Sequence, residues 1–170
     1  MHNDQIAIRP VTPDDAEAMV AMYQAIDTET DMLLLEPDER NLDVERQRER
    51  LTNMPDTDRA IFVADNGVAL IGYLSLRRER WQRSRHCAYV VVALRQSHTR
   101  RGIGGRLFDT AEAWARGNGL HRLELTVRVD NAAAVRLYLS HGFIVEGTRR
   151  HSLRIDNRYV DEYYMSKLLD

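Results

Sequence analysis

The run Arg100-Arg101-Gly102-Ile103-Gly104-Gly105 lies between a β-rich apolar segment, residues 86–94, and a stretch with helical spacing. Glycines let a backbone turn sharply and come close to a ligand. A helix starting there adds unpaired N–H groups and the positive end of its dipole. Together these make a site suited to an anion, and to a pyrophosphate in particular. Arg100 and Arg101 add guanidiniums that form charge-assisted bonds to phosphate. The same glycines would also serve a plain strand-to-helix connection. Two other phosphate loops fit worse. The sequence has no G-x-x-x-x-G-K run followed by Ser or Thr. The G-x-G-x-x-G fingerprint fails because Leu107 stands where its third glycine belongs.

A second constellation is Asn131-Ala132-Ala133-Ala134-Val135-Arg136-Leu137-Tyr138 followed by Gly142-Phe143. Asn131 reads as a helix cap, and Tyr138 falls on the same helical face. Alone, this is equally a capped amphipathic helix with a core tyrosine. Cys87 sits in the β-rich segment, where a buried inert thiol is the common case. As the single cysteine it excludes an intramolecular disulfide. The six histidines show no ligand spacing, so no metal is expected. The basic stretch 77–85 carries Trp81, but without a stacking module it reads as a solvated loop.

These residues need a scaffold, and the hydrophobic pattern supplies one. Ile6-Ala7-Ile8-Arg9 alternates as a strand. Thr12, Pro13 and the acids after them open a helix carrying Ala16, Met19, Val20 and Tyr23. Residues 30–39 have no period and read as a loop, with Leu33-Leu34-Leu35 unusually apolar for one. Residues 43–54 read as a charged surface helix. Residues 60–65 and 68–76 form a hairpin about Asn66-Gly67. Residues 86–94 are apolar on both faces, as a central strand should be. Leu107, Ala111 and Trp114 mark a helix ending near Gly117-Asn118-Gly119. A strand at 122–127, a helix at 131–141 and two long strands joined around Asp156-Asn157 complete the chain. This order predicts a mixed α/β fold with mostly antiparallel neighbours and two helical crossovers.

The chain has 170 residues, a length for one domain covering 1–170, and 44% hydrophobic content. Its net charge of −2 gives no global pull toward nucleic acid or membrane. No apolar run approaches a membrane span, and the first residues lack the pattern of a signal peptide. A cytoplasmic protein is expected. Of the 24 basic residues only Lys167 is lysine.

The two constellations, with a strand between them, resemble those of the GNAT superfamily of N-acetyltransferases. The segment 89–94, the glycine turn and its helix are similar to that family's acetyl-CoA segment. Asn131, Ala134, Tyr138 and Gly142-Phe143 are similar to its following motif. Thr99 departs from the pattern, standing where the family often has Gln or Arg. The likeness runs from Ile8-Arg9-Pro10 to the last strand. It implies a central, mostly antiparallel sheet of six to seven strands flanked by about four helices. Leu125-Thr126-Val127, Val129-Asp130-Asn131, Glu146-Gly147-Thr148, Tyr159-Val160-Asp161 and Tyr163-Tyr164-Met165 resemble a bacterial branch of L-amino-acid N-acetyltransferases.

The resemblance implies direct transfer of acetyl from acetyl-CoA to a primary amine in a ternary complex. Val92 and Leu94 would pair their backbone with pantetheine, and a strand N–H near Val92 would polarise the thioester carbonyl. Arg100, Arg101, Gly102, Ile103, Gly104 and Gly105 would hold the pyrophosphate. Asn131 and Ala134 would meet the pantetheine arm. Tyr138 would be the general acid. A phenol, with pKa roughly 10, stays protonated at neutral pH and can donate to a thiolate of pKa about 8.5. No base is selected; Glu36, Glu124 and His86 are candidates. The loop Leu33-Leu34-Leu35-Glu36 is a candidate acceptor wall, and Tyr163 or Tyr164 another. The expected partner is a small-molecule amine, with a homodimer implied by the family. A protein N-acetyltransferase and a non-catalytic acyl-CoA-binding module are the competing classes.

Overall fold

The structure, a computed structural model, describes residues 6–169. Its elements are β1 (Ala7–Pro10), α1 (Ala16–Glu29), α2 (Val44–Thr52), β2 (Arg59–Asp65), β3 (Leu70–Arg78), β4 (Cys87–Leu94), α3 (Ile103–Gly117), β5 (Arg122–Arg128), α4 (Ala132–Ser140), β6 (Ile144–Ile155) and β7 (Arg158–Leu168). Short 3₁₀ turns at Pro13–Asp15 and Gln96–His98 precede α1 and follow β4. The seven strands form one sheet in the order β1-β2-β3-β4-β5-β7-β6. Thus the mixed fold, the strand number and the four helices agree with expectation. No helix among the described residues is long and apolar enough to cross a membrane.

β1 and β2, β5 and β7, and β6 and β7 pair antiparallel, whereas β4 and β5 run parallel. A parallel pair cannot be joined by a hairpin; it needs a crossover, which α3 provides. That requirement puts a helix directly after β4.

The chain divides into two compact units. The first contains the described residues up to Leu76 together with Val91–Ala111. Its core is built on α1, where Ala16, Met19, Met22 and Ile26 recur at helical spacing and pack with Leu51, Val63, Leu70 and Tyr73. The entry to α1 is fixed by Asp15, whose carboxylate accepts from the Thr12 N–H at 2.7 Å and hydroxyl at 3.0 Å. Arg9 binds the same carboxylate through two nitrogens, both at 2.8 Å. The Asp43 side chain caps α2, accepting from the Arg46 N–H at 2.7 Å.

The second unit contains Arg77–Val90 and the chain from Glu112. Leu123, Leu125 and Val127 alternate inward along β5, and Leu125 pairs with buried Met165 of β7. Asp156 and Asn157 both take positive φ, 47° and 62°, so the β6–β7 hairpin turns where expected.

Both ends of β3 differ from the sequence reading. The Asn66 side chain accepts from both Val68 and Ala69 N–H groups, at 3.0 and 2.9 Å. The side chain thus imitates a turn, holds 66–69 as the loop and delays β3 to Leu70. At its other end β3 runs through Arg77 and Arg78, which read as connection because of their charge.

Candidate active site

In the first unit, Val92 and Leu94 are half-buried at the end of β4. Leu94 lies against Gly72 of β3: a Cβ built there would fall 2.2 Å from Leu94 Cδ2. The glycine therefore makes room for the end of β4. The next residue continues the pairing, with the Arg95 N–H donating to Ile71 O at 2.8 Å. Glu29, the last residue of α1, accepts from Arg95 Nε and from the Gln96 N–H, each at 2.7 Å. Burial works against the Glu29 charge, yet the bonds from Gln96 and Arg95 prevail and hold its pKa below the usual carboxylate value. A carboxylate at a helix C-terminus meets the unfavourable end of the dipole. Its place here follows from the tie to the end of β4.

The chain then turns. The Thr99 hydroxyl donates to Gln96 O at 2.9 Å. Arg100 and Gly102 take φ of 59° and 74°, and α3 starts at Ile103. A Cβ at Gly102 would meet nothing, so that glycine serves its backbone angle. Arg100 and Gly102, on either side of Arg101, both take the left-handed conformation and turn the chain sharply into the helix. The bond from the Arg106 N–H to Gly102 O, 3.2 Å, closes the first helical turn. The amides of Ile103, Gly104 and Gly105 belong to that turn and have no acceptor within the helix. The expected glycine turn at 100–105 is thus two pieces: a left-handed turn through Gly102, then a helix carrying Gly104 and Gly105 at its start. The apolar face of α3, with Ile103, Leu107, Phe108 and Ala111 buried, anchors it. Arg106 adds a bond to Ile6 O at 2.8 Å. Arg100 and Arg101 remain exposed. This turn, with two arginines and a helix N-terminus, fits a pyrophosphate.

In the second unit, Asn131 Oδ1 accepts from the Ala134 N–H at 3.1 Å and caps α4 as expected. The cap uses only the acceptor end of this side chain. Ala134 is half-buried. Tyr138 is buried, and burial pushes its phenol above the ordinary value, with Tyr89 adding to the shift. The Gly142-Phe143 pair explains how the ring is held. The Phe143 N–H donates to Tyr138 O at 3.0 Å and the Gly142 N–H to Leu139 O at 3.1 Å. With Gly142 at φ 81°, this is a Schellman ending, which brings its flanking apolar residues together. The Phe143 and Tyr138 rings lie 6.0 Å apart.

Of the three base candidates, Glu124 is already bound by Arg122 Nε at 2.9 Å. Arg122 also forks onto Glu146, at 2.8 and 2.6 Å, and Ser166 donates to Glu146 at 2.7 Å. These two partners, Arg122 first, hold the Glu146 carboxyl down at about 2. Glu36 and His86 are exposed. Tyr163 and Tyr164 are both half-buried, and burial raises the Tyr164 phenol.

Sequence reasoning passed over Gly72 and Glu29. A lone glycine inside a strand pattern is a signal of close backbone approach and marks Gly72. Nothing in the local pattern singles out Glu29.

The model of the acetyltransferase (GNAT) family matches residues 19–143. The chain is 32% identical over 126 residues to the L-amino acid N-acetyltransferase AaaT of Escherichia coli, covering 71% of this chain and 74% of that protein. It is 35% identical over 106 residues to the N-alpha-acetyltransferase RimI of Mycobacterium tuberculosis, covering 61% of this chain and 63% of that one. An acetyltransferase of the GNAT family from Streptococcus pneumoniae superposes with a TM-score of 0.91 at 30% identity, covering 96% of this chain and 99% of the other.

Proposed function

The chain belongs to the acetyltransferase (GNAT) family, and on that premise we propose that it moves acetyl from acetyl-CoA to the α-amino group of a free amino acid or a similar small amine. Residues 1–170 act in this reading as one acetyltransferase domain. The observation that carries the chemistry is the left-handed turn at Arg100 and Gly102 opening onto α3. The acceptor class is supported by the likeness to an L-amino acid N-acetyltransferase.

Acetyl-CoA supplies an acyl group activated as a thioester. The amides of Arg101, Gly102, Ile103, Gly104 and Gly105, with the side chains of Arg100 and Arg101, bind its pyrophosphate. The backbone of Val92 and Leu94 orients the pantetheine, and the N–H near Val92 donates to the thioester oxygen as charge develops there. Asn131 and Ala134 contact the same arm. The Tyr138 hydroxyl donates to the departing sulfur. Its raised pKa keeps it protonated across the neutral range. The amine loses its proton to solvent. An α-amine has a pKa of about 8, so a useful fraction is neutral near pH 7.5 without a dedicated base. This suits a site whose base candidates are exposed or already paired.

A second reading, acetylation of a protein N-terminus, is favoured by the likeness to RimI. Mass spectrometry of the product separates the two: an N-acetyl amino acid from methionine or phenylalanine supports the first. Acetylation of a peptide's N-terminus alone moves the assignment to the second. The reading also includes a homodimer, consistent with exposed Ile144 and Val145 at the start of edge strand β6; light scattering in solution reads the mass.

A further inference from the structure

Lys167, the chain's only lysine, does not point where a surface charge would. On β7 it lies opposite Leu123 of β5, and two residues earlier Met165 lies opposite Leu125. Side chains directly opposite, or two apart along a strand, share one face of a sheet. Leu123, Leu125 and Met165 are all buried. That face is the core face, and the Lys167 side chain on it is only 19% exposed. An ammonium there needs a partner, and its stem needs room.

The partner is Glu112 of α3, whose side chain is 14% exposed and accepts from Lys167 Nζ at 2.5 Å. The room is made by Gly142. A Cβ built on that glycine would stand 3.4 Å from Lys167 Cε, 3.6 Å from Nζ and 3.7 Å from Cδ. The end of the lysine therefore lies across the bare side of Gly142, against the turn that closes α4. Its charge complements the negative end of the α4 dipole. The same turn sets Tyr138. The Gly142 N–H bonds Leu139 O, the Phe143 N–H bonds Tyr138 O, and the Phe143 ring lies 6.0 Å from the Tyr138 ring. Stability alone accounts poorly for such a pair, because apolar residues of the same volume often stabilise as well as a buried ion pair does.

We infer that Lys167 is a positioning residue for Tyr138: gripped by Glu112, it rests on the Gly142 turn and fixes the C-terminal end of α4, and with it the phenol. This rests on the acyl-transfer reading above, with Tyr138 as its acid. Lys167 and Glu112 act through the turn and not on the reacting atoms. Misplacing a catalytic group by about 1 Å is enough to slow a reaction 10-fold or more.

Steady-state thiol release from acetyl-CoA is measured with methionine and with a short peptide bearing a free N-terminus. The proteins are the wild type, Lys167→Met, Tyr138→Phe and the two substitutions together. We expect Lys167→Met to lower kcat about 10-fold while the KM of acetyl-CoA changes less than about twofold. On the Tyr138→Phe background the same substitution should lower kcat less than about twofold, because the hydroxyl it positions is already gone. A merely structural role would lower both backgrounds alike. If Lys167→Met does not fold, Glu112→Gln combined with Lys167→Met carries the comparison, since removing both partners leaves no unpaired charge. The only lysine also reports on itself: acetic anhydride followed by peptide mass mapping should label Lys167 more slowly in the wild type than in Glu112→Gln, a paired ammonium being no nucleophile. Equal labelling overturns the inference. So does an unchanged kcat in the folded variant, a loss of acetyl-CoA affinity that matches the loss of kcat, or a full 10-fold loss on the Tyr138→Phe background. An unaltered kcat in Tyr138→Phe alone removes the acid role, and this inference with it. Absence of wild-type turnover with both amines overturns the acyl-transfer reading itself.

Discussion

Replacing Gly72 by alanine tests whether the end of β4 receives the cofactor. The added Cβ would lie 2.2 Å from Leu94 Cδ2, 3.2 Å from Leu94 Cγ and 2.9 Å from the Ala93 carbonyl oxygen. Carbon atoms pack at about 3.5–4.0 Å, so Leu94 must move its side chain by more than about 1 Å. The Ala93 oxygen is backbone and cannot swing aside; the strand has to shift. Overpacking of this kind costs about 1–3 kcal/mol. For a chain of this length each kcal/mol lowers the melting temperature by about 2–4 °C. Leu94 lies in the strand we assign to pantetheine, with Ala93 beside it. One backbone bond to the ligand lost there, worth about 1 kcal/mol, weakens acetyl-CoA about fivefold. Thermal melting and calorimetric titration of acetyl-CoA read both effects. Unchanged melting would refute the close approach of β3 and β4. Lowered melting with unchanged affinity would place the pantetheine away from this strand.

Three other outcomes follow from the same geometry. Tyr138→Phe keeps the ring against Phe143 and removes the hydroxyl, so kcat should fall by about 100-fold or more while acetyl-CoA affinity changes less than about twofold; an unaltered kcat removes Tyr138 from the acid role. Gly104→Val puts a branched side chain in the first turn of α3 and should weaken acetyl-CoA roughly 10-fold by calorimetry; full affinity would move the pyrophosphate elsewhere. Arg9 holds the Asp15 carboxyl at about 2, burial opposing and Thr12 assisting, against an ordinary 3.8. A lowered folded value means the stabilisation is complete above about pH 4 and fades as pH falls toward 2, about 2 kcal/mol in all. Asp15→Asn should therefore melt earlier at pH 7 and lose less stability than wild type between pH 4 and 2; parallel losses would contradict the assignment.

What the sequence made legible was what lies close together along it. The cap at Asn131, the glycine ending at Gly142 and the hairpin at Asp156-Asn157 each depend on a few adjacent residues, and each stands as expected. The Arg100–Gly102 turn was legible as a turn, but its length was not. Gly104 and Gly105 look like loop residues by type, yet buried Ile103 starts the helix before them. Arg77 and Arg78 read as a connection by their charge, although the strand carries them. Long-range features left no local trace. Arg40 is one of many arginines, and only the fold brings it to Asp27 in the preceding helix. The irregularity of β6 is of the same kind: the register against β7 shifts between Arg149 and Leu153, where His151 takes φ 52° and its N–H donates to Asp161 Oδ1 at 2.7 Å. Such a pairing shift is invisible to a period-two pattern.

The most direct test of the central claim is thiol release from acetyl-CoA by the wild-type protein, followed with a thiol-reactive dye, across free amino acids, polyamines, aminoglycosides and short peptides. We expect release that depends on a free amino acid, with methionine or phenylalanine among those accepted. Tight acetyl-CoA binding without release for any amine would contradict the claim and leave an acyl-CoA-binding module in its place.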